Sequence, residues 1–395
     1  MKIGITCYPT YGGSGAVATE LGVSLARHGH EVHFISYAQP FRLPLFTPRI
    51  YFHEVDVGKY PLFEYPPYDL ALAVRMHEVA IKHNLDLLHC HYAIPHATSA
   101  WIAREMLQRT GAYIPVVTTL HGTDITIVGQ DPSFHAITKF SIEKSDGLTA
   151  VSRFLQQETL TAFGCTACRI EVIPNFIDPD VYDRSKYTSV FDQQVGESTK
   201  VLMHVSNFRP VKRIRDVVQV FARVSKSLPA ILVMVGDGPD RGDAEAEART
   251  LGVDDRVFFL GKIDTVAPLL AGADLFLLPS DRESFGLSAL EALASGVPVI
   301  GANVGGLPEV VRHGETGFLC AVGDVDAMAT AALELLSNPA RWQAASDLAA
   351  KDARARFSQA TVVKQYEEFY EYALSLPSVR SRRTAEPTAA QSVPV

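Results

Sequence analysis

The chain has 395 residues, of which 47% are hydrophobic and 20% are charged, a composition typical of soluble globular proteins with enough material for two cores. Its formal net charge of -8 argues against a general nucleic-acid surface, and no apolar run approaches the ~18 residues needed to span a bilayer. Five scattered cysteines and the absence of an export signal lead us to expect a cytoplasmic protein.

The first half of the chain alternates strand and helix patterns, which predicts a parallel sheet covered by helices. Apolar runs at 3–7, 31–36, 85–90, 116–120 and 147–151 predict the strands, and helical periodicity at 16–28 predicts the first helix. We expect this N-terminal Rossmann-like domain to span residues 1–172.

A glycine-rich segment, Gly12-Gly-Ser-Gly15, lies between the first predicted strand and helix. Glycine lets a backbone approach a ligand closely, and a helix start attracts an anion. The segment is therefore a candidate ligand-binding turn, with an ordinary tight turn as an equal alternative. It is not the dinucleotide-binding pattern, because no acidic residue closes the second strand.

Two histidine-containing segments, 89–92 and 118–124, each follow a strand. Their three histidines suggest a metal site, but no carboxylate or cysteine spacing fits one, so we expect no metal. We expect His89 in the core, and His121 and Tyr92 as hydrogen-bonding groups of a ligand site. Ser152 is not part of a nucleophile elbow, which excludes a hydrolase triad of that kind.

The pattern breaks in the middle of the chain and again near its end. Polar residues dominate 173–198, which we interpret as a linker. Cys165 and Cys168 lack a second pair of ligands, so we expect plain thiols rather than a zinc or redox site. A helix at about 358–376 is predicted to pack back on the first domain, and the polar tail 377–395 is predicted to be disordered.

The second half, 173–357, repeats the alternation, with strands predicted at 201–205, 231–235, 257–260, 275–278 and 297–300. The fold class is therefore α/β, with two doubly wound Rossmann-like domains facing across a cleft. Such sheets bind ligands at the carboxyl ends of their strands. Gly236 and Lys262 follow two of these strands and are expected beside a nucleotide.

A basic loop follows the first strand of the second domain. Its residues Arg209 and Lys212 are cations suited to a diphosphate. We expect Arg213 and Arg215, which come next, to point to solvent from the following helix. Taken alone, a basic loop is more often solvated surface.

Two carboxylates, Glu283 and Glu291, stand eight positions apart around a helix predicted from Ser284 to Ala294. A helix N-terminus suits a diphosphate, and carboxylates accept hydrogen bonds from hydroxyls. Eight helical residues advance about 12 Å, which would place one carboxylate near a sugar and the other near a ribose. The alternative is a solvated glutamate and an ordinary amphipathic helix.

Together, the segment 283–291, the loop with Arg209 and Lys212, the turn 12–15 and His121 resemble the retaining GT-B glycosyltransferases of family 4, over about residues 1–376. The resemblance implies catalytic roles for Arg209, Lys212, Glu283 and His121. Many members have arginine where this chain has Asn207, so Arg209 would supply that guanidinium from a shifted position. The implied donor-binding residues are Gly13, Gly15, Asn207, Gly236, Lys262, Phe285, Gly286, Leu287 and Glu291.

Within that family, segments at 3–9, 53–55, 65–73, 89–96, 118–126 and 205–209 resemble the members that transfer N-acetylglucosamine from UDP-GlcNAc to L-malate, the first step of bacillithiol biosynthesis. This implies two small-molecule substrates, no metal cofactor, no nucleic-acid partner and no membrane insertion, and it leaves homo-oligomerisation open. The implied acceptor-binding residues are Ser14, Tyr92, Thr119, Thr123 and Lys139, with Arg42 and Arg75 as alternative cations.

Three other functions stay open on the sequence alone. A family 4 enzyme could use another acceptor, such as an inositol phosphate or a lipid, although no basic amphipathic helix stands out for a lipid. A UDP-GlcNAc 2-epimerase shares the double-Rossmann architecture and needs no acceptor pocket. A non-catalytic sugar-binding protein is the third, but two-domain solute receptors usually carry an export signal.

Overall fold

The computed structural model describes residues 1–10, 12–44, 46–58, 64–166, 168–191, 196 and 198–383. They form two compact units: Met1–Pro174 with the chain from Val362 onward, called unit 1, and Asn175–Thr361, called unit 2. The sequence placed the domain boundary between 172 and 173, two residues before the observed division.

Unit 1 is built on a seven-stranded parallel sheet. In chain order it contains β1 (Lys2–Thr6), α1 (Gly13–Arg27), β2 (Glu31–Ser36), β3 (Ile50–Glu54), α2 (Tyr68–His83), β4 (Leu87–His91), α3 (Thr98–Gln108), β5 (Val116–Leu120), α4 (Thr123–Thr126), α5 (Pro132–Lys144), β6 (Gly147–Ala150), α6 (Arg153–Phe163) and β7 (Ile170–Val172). The strand order is β3-β2-β1-β4-β5-β6-β7, so the order reverses between β1 and β4. Ile5 lies opposite His89 across that junction.

Unit 2 is built on a six-stranded parallel sheet. It contains β8 (Lys200–Val205), α7 (Ile214–Val224), β9 (Ala230–Val235), α8 (Arg241–Thr250), β10 (Val257–Gly261), α9 (Ala267–Ala271), β11 (Leu275–Leu278), α10 (Leu287–Ala294), β12 (Val299–Ala302), α11 (Leu307–Val310), β13 (Gly317–Cys320), α12 (Val325–Leu336) and α13 (Pro339–Phe357). The strand order is β10-β9-β8-β11-β12-β13, which reverses between β8 and β11. Ligands of open α/β sheets bind where the order reverses.

Local sequence explains where several helices begin. Ser152, Asp324 and Asn338 accept hydrogen bonds from backbone N–H groups in the first turns of α6, α12 and α13. Such caps satisfy donors that the helix itself leaves unpaired. Ser152 is therefore a helix cap, in agreement with the exclusion of a nucleophile elbow. Among the described helices, none combines the length and apolar character that crossing a bilayer needs.

The end of the chain returns to unit 1. Helix α14 (Gln359–Ser375) belongs to unit 1 from Val362, and its Tyr370 hydroxyl lies 2.8 Å from His89 Nδ1 in the core. A further helix, α15 (Pro377–Arg383), buries Val379 completely. The prediction of a disordered tail from residue 377 is therefore wrong for this helix, and residues 384–395 lie outside the described ones.

Three strands and one packed segment escaped the sequence analysis. The missed strands β3, β7 and β13 lie at sheet edges and include partly exposed positions, so they lack the buried apolar run that marks a central strand. The segment interpreted as a linker packs into unit 2, since Phe176, Ile177 and Tyr182 are buried. Cys165 and Cys168 form a disulfide, so the expectation of plain thiols is also wrong.

Candidate active site

In unit 2, the loops that follow β8 and β11 are neighbours because these two strands flank the reversal of strand order. The Asp281 N–H donates to the Val211 carbonyl oxygen at 2.9 Å, which joins the two loops. Residues 70 positions apart in sequence therefore meet at one edge of the sheet. This edge is the expected ligand position of a doubly wound sheet.

Lys212 and Glu283 form the central pair of this edge. Lys212 Nζ donates to Glu283 Oε1 at 2.6 Å, and the Ser280 hydroxyl donates to the same oxygen at 2.9 Å. The Ser280 side chain is completely buried, and the glutamate side chain is 10% exposed. Charge-assisted hydrogen bonds of this kind hold a carboxylate in one orientation. One face of the pair remains accessible, since the lysine side chain is 20% exposed.

A glycine turn fixes the backbone of Glu283. The Gly306 N–H donates to the Glu283 carbonyl oxygen at 2.8 Å. Gly305 has a φ of 56°, and a Cβ there would lie 1.9 Å from the same oxygen. The loop that contains residues 305 and 306 can therefore approach Glu283 only with glycine at 305.

Buried contacts position the basic loop. The Phe208 side chain is completely buried, and its backbone N–H donates to the Asp237 carbonyl oxygen at 3.0 Å. Its neighbour Arg209 is exposed, and Asn207 is partly exposed. The Asn207 backbone carbonyl oxygen accepts a hydrogen bond from the Arg209 N–H at 2.6 Å. Anchoring Phe208 in the core leaves the Arg209 guanidinium at the surface of the loop.

The expectation that Arg213 points to solvent is wrong. It pairs with Asp216 at 2.7 Å and with Asp281 at 3.1 Å, and these contacts raise the pKa of its guanidinium. The residue takes a left-handed conformation directly before α7, which turns its side chain toward the β11 loop. Arg215 is more exposed, but it pairs with Glu247 at 2.7 Å.

Helix α10 begins at Leu287 and not at Ser284, so the prediction of an eight-residue helical spacing between Glu283 and Glu291 is wrong. Gly286 has a φ of 94°, a left-handed conformation that favours glycine. Because this conformation is not helical, α10 begins only after Gly286. The Phe285 side chain is buried and packs on Phe357, so a ligand can meet only its backbone. The turn nevertheless places the N–H groups of 285–287 at the helix start, where an anion is favoured.

Glu291 lies on α10 and is buried. It accepts a hydrogen bond of 2.5 Å from the Tyr182 hydroxyl, which comes from the segment interpreted as a linker. Two other predicted contacts in unit 2 are Gly236 and Lys262. Gly236 is buried, and its N–H donates to the Gly261 carbonyl oxygen. Lys262 follows Gly261 in the chain and is exposed. The structure thus places both at the carboxyl ends of strands β9 and β10.

In unit 1, the loops after β1 and β4 are neighbours for the same topological reason. The Tyr92 hydroxyl donates to the Ser14 hydroxyl at 3.1 Å, and it also hydrogen-bonds Thr123. Helix α1 begins at Gly13, earlier than predicted, so Ser14 lies in its first turn. A Cβ at Gly15 would lie 2.6 Å from the Tyr8 carbonyl oxygen. Glycine at this position therefore allows the turn to approach the loop after β1 closely.

His121 is partly buried beside this group and stacks on the completely buried His91. Its Nε2 lies 2.8 Å from His91 Nδ1, and the two rings stack at 5.0 Å. Burial lowers the pKa of His121 to about 3, and that of His91 falls well below its usual range. Both imidazoles are therefore neutral at neutral pH and act as hydrogen-bonding groups. Burial likewise raises the pKa of Tyr92 to about 12, which keeps its hydroxyl protonated.

A buried carboxyl group holds these loops together. Asp124 accepts backbone N–H groups from Ala93, His121 and Gly122 at 2.9–3.3 Å. Burial nevertheless raises the pKa of its carboxyl to about 6. Asp124 thereby connects the loop after β4 to the loop after β5.

Several predicted acceptor residues have other partners in the structure. Thr119 is completely buried, and its hydroxyl lies 2.7 Å from both His89 Nε2 and the Thr149 hydroxyl, so it cannot meet a ligand directly. The prediction of His89 as a core residue is confirmed. Each of the three predicted cations pairs with an acidic neighbour: Lys139 with Glu143, Arg42 with Glu20 and Arg75 with Glu78.

Sequence analysis missed Ser280, Asp124 and Tyr182. Ser280 and Asp124 both follow predicted strands, and Asp124 also lies in the segment 118–124 already singled out, so position was a signal for both. Tyr182 gave no such signal, because its partner Glu291 is 109 positions away in the sequence.

Comparisons with known proteins agree with this arrangement. The family model described as "Glycosyltransferase Family 4" matches residues 11–181, and the model described as "Glycosyl transferases group 1" matches 186–357. The chain is 50% identical over 371 residues to N-acetyl-alpha-D-glucosaminyl L-malate synthase of Bacillus anthracis, covering 94% of this chain and 96% of that protein. It is 29% identical to D-inositol 3-phosphate glycosyltransferase of Mycobacterium avium, covering 88% and 86%.

Among solved structures, the chain resembles Anabaena Alr3699/HepE in complex with UDP and glucose, with a TM-score of 0.77 and 23% identity. The match covers 95% of this chain and 100% of that one. The predicted α/β fold class, with two Rossmann-like domains of the GT-B type, is confirmed.

Proposed function

Because the chain belongs to the family 4 glycosyltransferases, we propose that it transfers N-acetylglucosamine from UDP-GlcNAc to the hydroxyl of L-malate. The products are GlcNAc-malate and UDP, the sugar keeps its anomeric configuration, and the reaction opens bacillithiol biosynthesis in the cytoplasm. The structural observation that supports the donor half is the Lys212–Glu283 pair beside the exposed Arg209. The substrates rest on the 50% identity to the Bacillus anthracis synthase.

Unit 2 supplies most of the donor contacts in this proposal, and Gly13 and Gly15 of unit 1 stay predicted donor contacts. Arg209 and Lys212 neutralise the diphosphate, and Lys212 has enough donor hydrogens to bind a phosphate oxygen as well as Glu283. Glu283 accepts hydrogen bonds from hydroxyls of the transferred sugar, and Glu291 accepts from the ribose. The N–H groups of 285–287 add donors at the start of α10.

Unit 1 supplies the acceptor contacts. Ser14, Tyr92 and Thr123 form a hydroxyl group beside the first turn of α1, whose N–H groups suit a carboxylate of malate. His121 meets a hydroxyl of the donor sugar as a neutral imidazole. Lys139, with Arg42 and Arg75 as alternatives, stays our prediction for the second carboxylate and would have to leave its present acidic partner.

The transfer itself requires no protein nucleophile and no metal ion in this proposal. The bond from the sugar C1 to the β-phosphate oxygen breaks as the malate oxygen bonds to C1 on the same face. A β-phosphate oxygen takes the malate hydroxyl proton, and UDP leaves. Arg209 and Lys212 stabilise the charge that grows on the diphosphate, which is where fixed donors accelerate a reaction most.

The test is UDP release from UDP-GlcNAc with L-malate, D-malate, lactate, D-inositol 3-phosphate or no acceptor, with products identified by mass and by NMR of the anomeric proton. We expect release to depend on L-malate and to survive EDTA. Lactate should be poorer by about 10²-fold, since it leaves a charge-assisted contact of roughly 3 kcal/mol unmade.

Each reaction condition tests one alternative function. Equal turnover without acceptor would favour an epimerase or a hydrolase, and turnover only with D-inositol 3-phosphate would select the activity named for the Mycobacterium avium relative. Equal rates with malate and lactate would contradict the dicarboxylate site. Loss of activity in EDTA that Mg²⁺ restores would contradict the metal-free transfer.

A further inference from the structure

Three histidines from separate elements of unit 1 meet at one edge of its sheet. His33 lies on β2, His53 on the edge strand β3 and His83 at the last position of α2. Their nearest ring nitrogens all lie within 4.8 Å of one another. These residues belong to none of the groups assigned above to donor or acceptor.

The geometry of the cluster fits a small cation. His33 Nδ1 and His53 Nε2 are 2.9 Å apart, and the His83 ring centre lies 4.4 Å from that of His33 and 5.1 Å from that of His53. Two nitrogens on a tetrahedral zinc ion lie about 3.3 Å apart, as follows from zinc–nitrogen bonds of about 2.0–2.1 Å. The observed separation needs only a small widening to admit an ion.

The Glu31 carboxylate contacts the His33 nitrogen that faces away from the other two histidines. Glu31 Oε1 lies 2.9 Å from His33 Nε2, so the neutral imidazole donates its proton there and turns the Nδ1 lone pair toward His53. Metal-binding histidines are commonly oriented by such an outer carboxylate. The His33 side chain is completely buried, whereas His53 and His83 are partly exposed, which gives an ion a route from solvent.

Charged side chains also surround the cluster. The nearby cations Lys2, Lys82 and Arg75 oppose an added positive charge, and Glu31 offsets them in part.

We propose that His33, His53 and His83 bind one divalent transition-metal ion of the zinc type, with water in the fourth position. Imidazole ligands suit Zn²⁺, Co²⁺ and Ni²⁺ rather than Mg²⁺ or Ca²⁺. The ion replaces the hydrogen bond between His33 and His53, and the His53 proton moves from Nε2 to Nδ1. By linking β2, β3 and α2, it stabilises the free edge of the sheet.

This site differs from the metal considered in the sequence analysis. That question concerned the segments 89–92 and 118–124, and no motif joins positions 33, 53 and 83. The expected absence of a metal in the transfer reaction is a separate proposal, because the three histidines have no part in it. Either proposal can fail without the other.

The test is Zn²⁺ titration of the untagged, chelator-stripped full chain against a chromogenic competitor, with Co²⁺ visible spectra as a second readout. We expect one ion per chain and a Tm that rises with Zn²⁺. His53→Ala and His83→Gln should each weaken binding at least tenfold, and Glu31→Gln by about 10–100-fold. The matched control is His77→Gln, on the same helix α2 and outside the cluster, which should bind as wild type does.

Two results would overturn the site: no stoichiometric Zn²⁺ binding to wild type, or wild-type affinity in both His53→Ala and His83→Gln. Malate-dependent turnover and circular dichroism of each variant show that it has folded. His83→Gln keeps the test decisive if His53→Ala is unstable, because His83 is partly exposed at a helix end.

Discussion

Unit 2 and unit 1 place their candidate site residues at equivalent positions, beside a reversal of strand order, but with opposite chemistry. In unit 2 the edge contains the Lys212–Glu283 ion pair and the exposed Arg209. In unit 1 the edge contains the hydroxyls of Tyr92 and Ser14 beside imidazoles that burial keeps neutral. Charges suit a diphosphate that becomes more negative as the bond breaks, whereas neutral donors and acceptors suit alcohol hydroxyls.

The difference extends to how each unit responds to acid. In unit 1, His89, His91 and His96 are completely buried and His121 is partly buried, and burial lowers the pKa of all four. Among the described residues of unit 2, His204 is a buried histidine whose pKa is lowered, to about 4. A histidine whose pKa is lowered by folding contributes fully to the free energy of unfolding when the pH is above its pKa in the unfolded chain, about 6.5. That stability is lost as pH falls, at up to about 1.4 kcal/mol per pH unit for each group.

The largest expected effect is therefore selective loss of unit 1 structure in acid. Between pH 7.5 and 5.5 the four histidines should cost unit 1 several kcal/mol in total. Asp124 acts in the opposite direction, because its raised pKa of about 6 makes it take up a proton in the same range, and it offsets only part of the loss. Hydrogen exchange, corrected for intrinsic rates, should show β4 and β5 losing protection before β8 and β9. Earlier loss in unit 2 would show that the histidine burial does not control acid stability.

The next largest effect is expected from Lys212→Ala, which should lower kcat by about 10²-fold or more, since it removes a fixed cation from the leaving diphosphate. Lys200→Ala is the matched control. Lys200 also pairs with a carboxylate, Asp274 at 3.1 Å, but it lies at the amino end of β8, whereas Lys212 follows the carboxyl end. Steady-state kinetics should show near-normal turnover for the control. Equal losses in the two variants would remove the special role of the basic loop.

A smaller effect is expected from Ser280→Ala, because Ser280 is a positioning residue that holds Glu283 by one hydrogen bond. Loss of about 1 kcal/mol should lower kcat about fivefold with little change in KM. In a Glu283→Ala background the same substitution should have no further effect on kcat, as a double-mutant cycle measures. An additive loss in the double variant would mean that Ser280 acts independently of Glu283.

The central strands and the charged half of the site could be predicted from the sequence for the same reason. Buried runs such as 116–120 and 275–278 carry their own signal, and β5 and β11 match them residue for residue. Arg209, Lys212 and Glu283 lie in the loops after such strands, so finding the strand also located the charge. The edge strands β3, β7 and β13 gave no comparable apolar run.

What could not be predicted depends on contacts between distant residues or on backbone conformation. The Gly286 turn delays the start of α10, and only its left-handed φ reveals this. Thr119 lies near the carboxyl end of β5, a position suited to ligand contact, yet its side chain bonds within the core. Arg213 was expected in solvent because its partner Asp281 is 68 positions away. The three histidines of the proposed metal site illustrate the same limit.

The division of substrates between the two units is tested most directly by two-substrate kinetics on Glu291→Ala and Tyr92→Phe, with UDP-GlcNAc and L-malate both varied. Glu291→Ala should raise the KM for UDP-GlcNAc by about tenfold or more, because it removes hydrogen bonds to a charged group. The KM for L-malate should stay unchanged. Tyr92→Phe, which removes one hydroxyl and keeps the ring, should raise only the KM for L-malate, by about fivefold. The account is contradicted if Tyr92→Phe raises only the KM for UDP-GlcNAc, or if Glu291→Ala raises only the KM for L-malate.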